Sequence, residues 1–348
     1  MVEDIEKDWY VDNLIHNRID TRWFPSDNWT AAVEFRNRIF YGASVQLFPD
    51  YAKYIEQDNG YWDLSWNIAT GDSYVFNTTL DRVWIDYTSG DFQARLGRQR
   101  INWGQNLVWN PNDVFNAYSF FDFDYEERPG TDALRMQYYT SFTSQAEFVY
   151  QVGDSIEDMS FAGNYRFNKW NYDIQFLGGY VKNDAVFGTG WSGDIKGGGF
   201  RGEFTYFHSL YDSAATKGQL VGSISGDYTF RNSLFLHLAA IYNSAGSTGN
   251  IVIDESFLLL KSVSAKNLTF SRTELLGQVS YQVSPLIKGD LASIVNPYDG
   301  SFFFGPSGTF SLQDNLEFMF TAQFFFGDDG TLYGDYPHFL YWRLKWAF

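Results

Sequence analysis

Residues 338–348 alternate. Leu340, Trp342, Leu344, Trp346 and Phe348 fall on one face of an extended strand, with Tyr341, Arg343 and Lys345 on the other. A strand of this kind needs an apolar medium on one side and water on the other, and its repetition along the chain predicts an all-β fold, a transmembrane antiparallel β-barrel. Over 31–47, Val33, Phe35, Ile39, Tyr41, Ala43, Val45 and Leu47 share one parity, while Glu34, Arg36, Arg38, Ser44 and Gln46 share the other. Two arginines two residues apart cannot both face lipid cheaply, which assigns their side to the lumen. In 217–230, Leu220, Ile224, Tyr228 and Phe230 alternate with Ser223, Ser225, Asp227 and Thr229. In 314–326, Leu316, Phe318, Phe320, Ala322, Phe324 and Phe326 alternate with Glu317, Thr321 and Gln323.

The same pattern marks strands at 31–47, 61–69, 79–88, 91–101, 132–140, 143–151, 160–168, 171–181, 195–207, 217–230, 232–242, 268–282, 286–295, 299–311, 314–326 and 336–348. That is about 14–16 strands, because short turns at 168–171, 230–233 and 312–315 should all lie on the periplasmic side, and sixteen strands so divided put some of them outside. Residues 1–29 read as an irregular periplasmic or luminal segment, and 30–348 as the barrel. Segments 48–60, 182–194, 243–267 and 327–335 read as outer loops, with a short helix within 252–262.

Composition supports the membrane. The chain has 348 residues, with 34 Phe, 24 Tyr and 12 Trp, and rings with a polar edge settle at a bilayer interface. No stretch approaches the roughly 20 apolar residues of a membrane helix, as expected where strands hide their apolar face by alternation. The start of the chain shows no signal peptide, which fits a mature form carrying an added Met. Cysteine is absent, excluding disulfides and thiolate chemistry. The net charge of -17 excludes nucleic acid as a partner. It suits acidic loops beside lipopolysaccharide with bridging divalent cations.

The most distinctive stretch is a basic strand, 91–101, then nearly thirty residues rich in Asn, Asp and aromatics, then a strand opening on Asp132 and Arg135. Long connections of this kind are usually functional. We expect 102–131 to fold into the lumen, with Asp113, Asp122, Asp124 and Asp132 meeting Arg95, Arg98, Arg100 and Arg135. Such pairs could set a transverse field at a constriction or simply fasten the loop to the wall. Arg98 and Arg100 share parity with Phe92, Ala94 and Leu96, so either a bulge near Gly97 turns them inward or they sit above the apolar belt.

Gly97-Arg98-Gln99-Arg100-Ile101-Asn102-Trp103-Gly104, Asn110-Pro111-Asn112-Asp113-Val114-Phe115-Asn116 and Arg128-Pro129-Gly130-Thr131-Asp132-Ala133-Leu134-Arg135 resemble the signature of a porin-like bacterial outer-membrane β-barrel family of incompletely characterised function. A hairpin around 226–238 is similar too. The resemblance implies an outer-membrane barrel and, by analogy, transport of a small or apolar solute. It marks Arg98, Arg100, Trp103, Asn110, Asp113, Asn116, Asp132 and Arg135 as signature positions without assigning them ligand contacts.

Catalytic chemistry is not expected. His16, His208, His237 and His338 are the only imidazoles, none stands in a triad or metal motif, and there is no phosphate-binding loop or nucleophile elbow. No cofactor is implied. Calcium could bind in acidic loops, through the hard oxygens of Asp328, Asp329 and Asp335 or Glu126 and Glu127, although EF-hand spacing is absent. The reading is an outer-membrane channel for diffusion or guided transport of a small solute. Arg36, Arg38, Arg82, Arg95, Arg135, Arg343 and Lys345 would line a basic sector beside Arg98, Arg100, Asp113 and Asp132. The alternative is a closed barrel acting as a structural or docking component, with other outer-membrane proteins as partners. A surface glycan-binding module using Trp191, Tyr298 and Tyr333 is a lesser rival, and a soluble all-β protein the fallback.

Overall fold

A computed structural model describes residues 9–121, 130–211, 217–251 and 263–348. Asp122, Asp124, Glu126, Glu127, Arg128, Pro129 and the helix expected within 252–262 lie outside the described residues. Among the described residues eighteen strands belong to one sheet, and they form two compact units. The first draws on the described residues of 1–101, 127–140 and 146–161, and the second on those of 102–126, 141–145 and 162–348.

The chain opens with β1 (Asp12–Ser26) and β2 (Trp29–Gly42), followed by two short helices, α1 (Ala43–Leu47) and α2 (Tyr51–Glu56). Then come β3 (Ser65–Gly71), β4 (Tyr74–Ser89), β5 (Phe92–Gln99), β6 (Thr131–Ser141), β7 (Ser144–Gln151) and β8 (Ser160–Lys169). They are followed by β9 (Tyr172–Val181), β10 (Asp184–Ile195), β11 (Gly198–Ser209), β12 (Gly218–Thr229) and β13 (Leu234–Asn243). The chain closes with β14 (Thr273–Ser284), β15 (Ile287–Val295), β16 (Phe302–Gln313), β17 (Leu316–Phe326) and β18 (Phe339–Trp346). β9 to β18 pair antiparallel in chain order.

The expected 14–16 strands are thus corrected to eighteen, and the two that were missed are β1 and β10. Residues 12–26, read as irregular, pair with β2 along almost their whole length. Residues 184–194, read as a loop, pair with β11 throughout and with β9 over 184–192. β10 escaped because Gly188, Gly190 and Gly193 interrupt its alternation. Inserting it removes the conflict over short turns: those at 170–171, 230–233 and 314–315 are now separated by even numbers of strands and share one end. Residues 43–47, read as the end of a strand, are α1, and α2 falls within the loop expected at 48–60.

In the first unit β4 carries β2 on one edge and two partial strands on the other. β5 pairs with its residues 83–89 and β3 with its residues 74–79, both running antiparallel to it. β3 therefore continues the line of β5 along β4, at the place where the chain leaves β5 for the long 100–130 connection. A bulge opposite Glu34 and Phe35 inserts Asp81 into β4. Buried positions accordingly change parity, from Val75, Asn77 and Thr79 before the bulge to Arg82 and Asp86 after it.

Candidate functional site: the basic face and the wall-bound loop

Arginines recur on one face of the first unit, and most of them stand against an acid. Arg18 meets Glu34 at 2.6 Å and Asp20 at 3.0 Å, and Arg36 meets Asp81 at 2.9 Å. Arg95 Nε donates to Asp86 Oδ2 at 2.9 Å, and its guanidinium lies 3.9 Å from the centre of the Trp84 ring. Arg135 grips Glu147 with two nitrogens, each at 2.9 Å, and Gln137 donates to the same carboxylate at 2.8 Å. Arg38 donates to Asn77 Oδ1 at 2.9 Å and lies over the Phe40 ring. The side chains of Arg36, Arg95 and Arg135 keep 11%, 24% and 20% of their exposure, so their charge is held but not sealed away.

Arg82 and Arg98 are sealed. Arg82 donates to the Asp81 carbonyl at 2.7 Å. Arg98 donates to Asp132 through Nε at 2.7 Å and Nη2 at 2.8 Å, to Asp58 through Nη1 at 2.5 Å and to the Trp62 carbonyl at 2.5 Å. These groups come from β5, β6 and the connection before β3, so one guanidinium ties together the place where β5 ends and β3 takes over. Gly60 is required there, since a Cβ on it would stand 1.9 Å from Arg98 Nη2. Gly97 takes a φ of +120° while pairing on both sides runs through it without a register shift. No bulge turns Arg98, which instead ends in this closed junction.

In the second unit, residues 103–121 lie along the polar face of β9 to β12 and reach β16 and β17. Glu203, fully buried, accepts the backbone N–H groups of Gln105, Asn106 at 2.8 Å and Asn112 at 2.9 Å. Gln175 donates to the Trp103 carbonyl at 2.6 Å, Thr205 to Asn112 Oδ1 at 2.6 Å and Ser223 to the Trp109 carbonyl at 2.7 Å. β10 passes close beneath the loop, and only glycine fits there. A Cβ on Gly188 would stand 2.9 Å from Asn112 Oδ1, and one on Gly190 would stand 2.8 Å from Asn112 Nδ2. The apolar positions of opposite parity, Phe176, Phe187, Tyr206 and Ile224, are exposed.

The end of this segment enters an aromatic socket. The Phe121 ring lies 5.1 Å from Phe303, 5.5 Å from Phe325 and 6.0 Å from Tyr333, and Gln323 donates to the Phe121 carbonyl at 2.8 Å. Tyr333 donates to Glu274 Oε2 at 2.7 Å. Burial and the Glu274 carboxylate push the Tyr333 phenol well above its usual range, so it stays a donor.

Of the ion pairs expected between the loop acids and the arginines, Arg98–Asp132 forms. Arg95 and Arg135 are instead held by Asp86 and Glu147, acids on neighbouring strands. Asp113 is buried and accepts the Trp103 N–H at 3.4 Å. Asn110 and Asn116 are buried in the same segment, and Trp103 packs edge-on against Phe115. Arg100 is half-buried just past β5, Arg343 lies 3.6 Å from Glu317, and Lys345 is exposed on β18. Sequence reasoning missed Glu203, Asp58, Asp81, Asp86 and Glu147. The available signal was an acid on the lumen parity of its strand, which Glu147 and Glu203 both show.

Among the described residues no group of three or more His, Cys, Asp or Glu could hold a metal ion. In the acidic loop before β18, Asp335 accepts the Gly330 N–H with both oxygens at 3.1 Å.

No protein-family model matches this sequence, and no curated protein matches it. Its fold is similar to that of crystal structures of bacterial proteins. Pseudomonas aeruginosa OccD3 (OpdP) matches with a TM-score of 0.53 at 10% identity, over 97% of this chain and 90% of that one. Acinetobacter baumannii OccAB1 matches with a TM-score of 0.51 at 11% identity, over 95% and 94%. The outer membrane protein OprD from Pseudomonas aeruginosa matches with a TM-score of 0.52 at 10% identity, over 96% and 91%. At such identities the likeness is one of fold, and the fold is a transmembrane antiparallel β-barrel of the porin kind.

Proposed function

We propose that this protein is a channel of the bacterial outer membrane through which a small solute diffuses or is guided. The observation that carries this reading is the basic face: Arg36, Arg95 and Arg135 are each anchored by an acid and yet keep part of the side chain accessible. Anchoring fixes the position of the charge, and the open part remains available to a passing polar group. Arg38 belongs to the same basic lining, and Arg343 and Lys345 of β18 add basic side chains in the second unit, whereas Arg82 and Arg98 hold the wall together. The 102–131 connection acts as the constriction, and the motifs at 97–104, 110–116 and 128–135 that flank and form it are read as the mark of a porin-like family. Acidic loops and lipopolysaccharide, bridged by divalent cations, account for the net charge.

The dense fastening of residues 103–121 favours a second reading, a closed barrel that serves as a docking component. Single-channel conductance in a planar bilayer separates the two, measured beside a variant lacking residues 105–127. Steps from the unaltered protein support the channel. Steps from the deletion variant alone make the loop a plug and support the closed barrel.

A further inference from the structure

The apolar face of the first unit is interrupted by a row of polar side chains. Asn37 Nδ2 donates to Asn17 Oδ1 at 3.2 Å, and Thr78 Oγ1 donates to Asn37 Oδ1 at 2.8 Å. The three residues stand opposite one another across β1, β2 and β4. Arg36 and Arg38, the neighbours of Asn37 along β2, turn the other way, to Asp81 and Asn77. The row therefore faces outward, where a porin-type barrel meets hydrocarbon.

Its depth makes it unusual. Along β2 the outward positions run Trp29, Ala31, Val33, Phe35, Asn37, Ile39, Tyr41, and along β4 an aromatic again closes each end, at Tyr74 and Tyr87. Interfacial rings thus bracket the row, and it lies inside the apolar band. Cross-strand hydrogen bonds engage the Asn37 amide at both its oxygen and its nitrogen, but the row supplies no acceptor for the amide N–H groups of Asn17. A polar group left open to hydrocarbon is costly, and in membranes such groups pair across protein contacts.

We propose that this outward face of β1, β2 and β4 is the contact with a second copy of the same chain. Partners in a membrane are related by an axis along the bilayer normal, so a residue meets residues of its own depth. A two-fold axis beside Asn37 brings one row against the other, donors against acceptors, with no net charge to desolvate. The row is self-complementary in this sense, which neither a lipid tail nor a charged partner would match. The proposal rests on the barrel fold and does not depend on whether the protein conducts.

The chain contains no cysteine, so single cysteines report the contact cleanly. Ile39→Cys lies on the outward face beside Asn37 and leaves the row intact, whereas Leu238→Cys lies outward on β13, 69% exposed. The full-length purified variants are reconstituted in lipid and treated with a short bismaleimide. A second measurement compares the unaltered protein with the triple variant Asn17→Leu, Asn37→Leu, Thr78→Val by native mass spectrometry from lipid nanodiscs. Heat-modifiable migration on a gel verifies that each variant is folded. Linked dimers from Ile39→Cys in clear excess over Leu238→Cys, together with loss of the dimer mass in the folded triple variant, are the expected results. Equal cross-linking of the two cysteines, a monomeric unaltered protein, or a dimer that survives the triple substitution each overturns the proposal.

Discussion

Arg95 and Arg135 stand directly opposite each other across β5 and β6, and each is held by its own carboxylate, Asp86 for the first and Glu147 for the second. Like charges in register destabilise a sheet unless they are compensated. This arrangement keeps two guanidinium groups side by side and only partly covered. The double variant Arg95→Gln, Arg135→Gln should lower anion preference, read as a shift of the reversal potential toward cations in a salt gradient. The single variant Glu147→Gln should shift it the other way. An unchanged reversal potential in a conducting double variant would remove these arginines from the permeation path.

Arg98 works in a different environment. Its side chain and that of Asp132 are 4% and 1% exposed, and Asp58 completes the junction. Breaking a buried pair leaves an uncompensated charge, at a cost of about 3–5 kcal/mol. Arg98→Ala should lower stability by that amount in denaturant unfolding followed by tryptophan fluorescence, and Gly60→Val should weaken the same junction by driving a side chain into the guanidinium. Conductance should change less than stability, since Arg98 is shut away from solvent.

The alternation of residues made most of the wall legible. β17 and β18 could be read from their aromatics, and their pairing places Phe318 opposite Leu344 and Phe320 opposite Trp342 on the apolar face. β1 and β10 were hidden for separate physical reasons. β1 carries Asn17 and Thr21 on its outward row, which spoils the two-faced signal, and β10 has glycines where the loop comes close. That the long connection after β5 is a distinct feature could be read from its length and its Asn and Asp content, but the fastenings of its residues 103–121 could not. Glu203 lies about ninety residues from Asn112, and nothing local marks an acid as the acceptor of distant backbone N–H groups. Parity left two readings for Arg98, and the unbroken pairing through Gly97 removes the bulge; its closure by Asp58 and the Trp62 carbonyl was hidden because those groups lie about forty residues earlier in the chain.

Three tyrosines outside the strands should report alkaline unfolding. Burial pushes Tyr51 and Tyr336 up to about 12, aided by the nearby carboxylates of Asp12 and Glu274 respectively, and raises Tyr333 well above its usual range. Free tyrosine titrates near about 10. Above that value the unfolded chain loses protons that the folded chain keeps, so the stability these groups contribute is whole below about 10 and falls as the pH rises toward the folded values. Absorbance of phenolate should show Tyr51 and Tyr336 ionising near 12. Tyr336→Phe should flatten the decline in unfolding midpoint between those limits.

The loop's hold on the wall rests on Glu203. One buried carboxylate takes three backbone N–H groups, and each amide left without an acceptor in a buried setting costs about 1–3 kcal/mol. Glu203→Ala should therefore free residues 105–112 while the strands persist, because β11 keeps its pairing with β10 and β12. Limited proteolysis in detergent should cleave this variant between 103 and 121 under conditions that spare the unaltered protein, with heat-modifiable migration retained. Phe121→Ala tests the other anchor, since it empties the socket of Phe303, Phe325 and Tyr333 but leaves Glu203 engaged. Cleavage that appears in Glu203→Ala and not in Phe121→Ala would place the main fastening at the carboxylate, and the reverse order would place it in the aromatic socket.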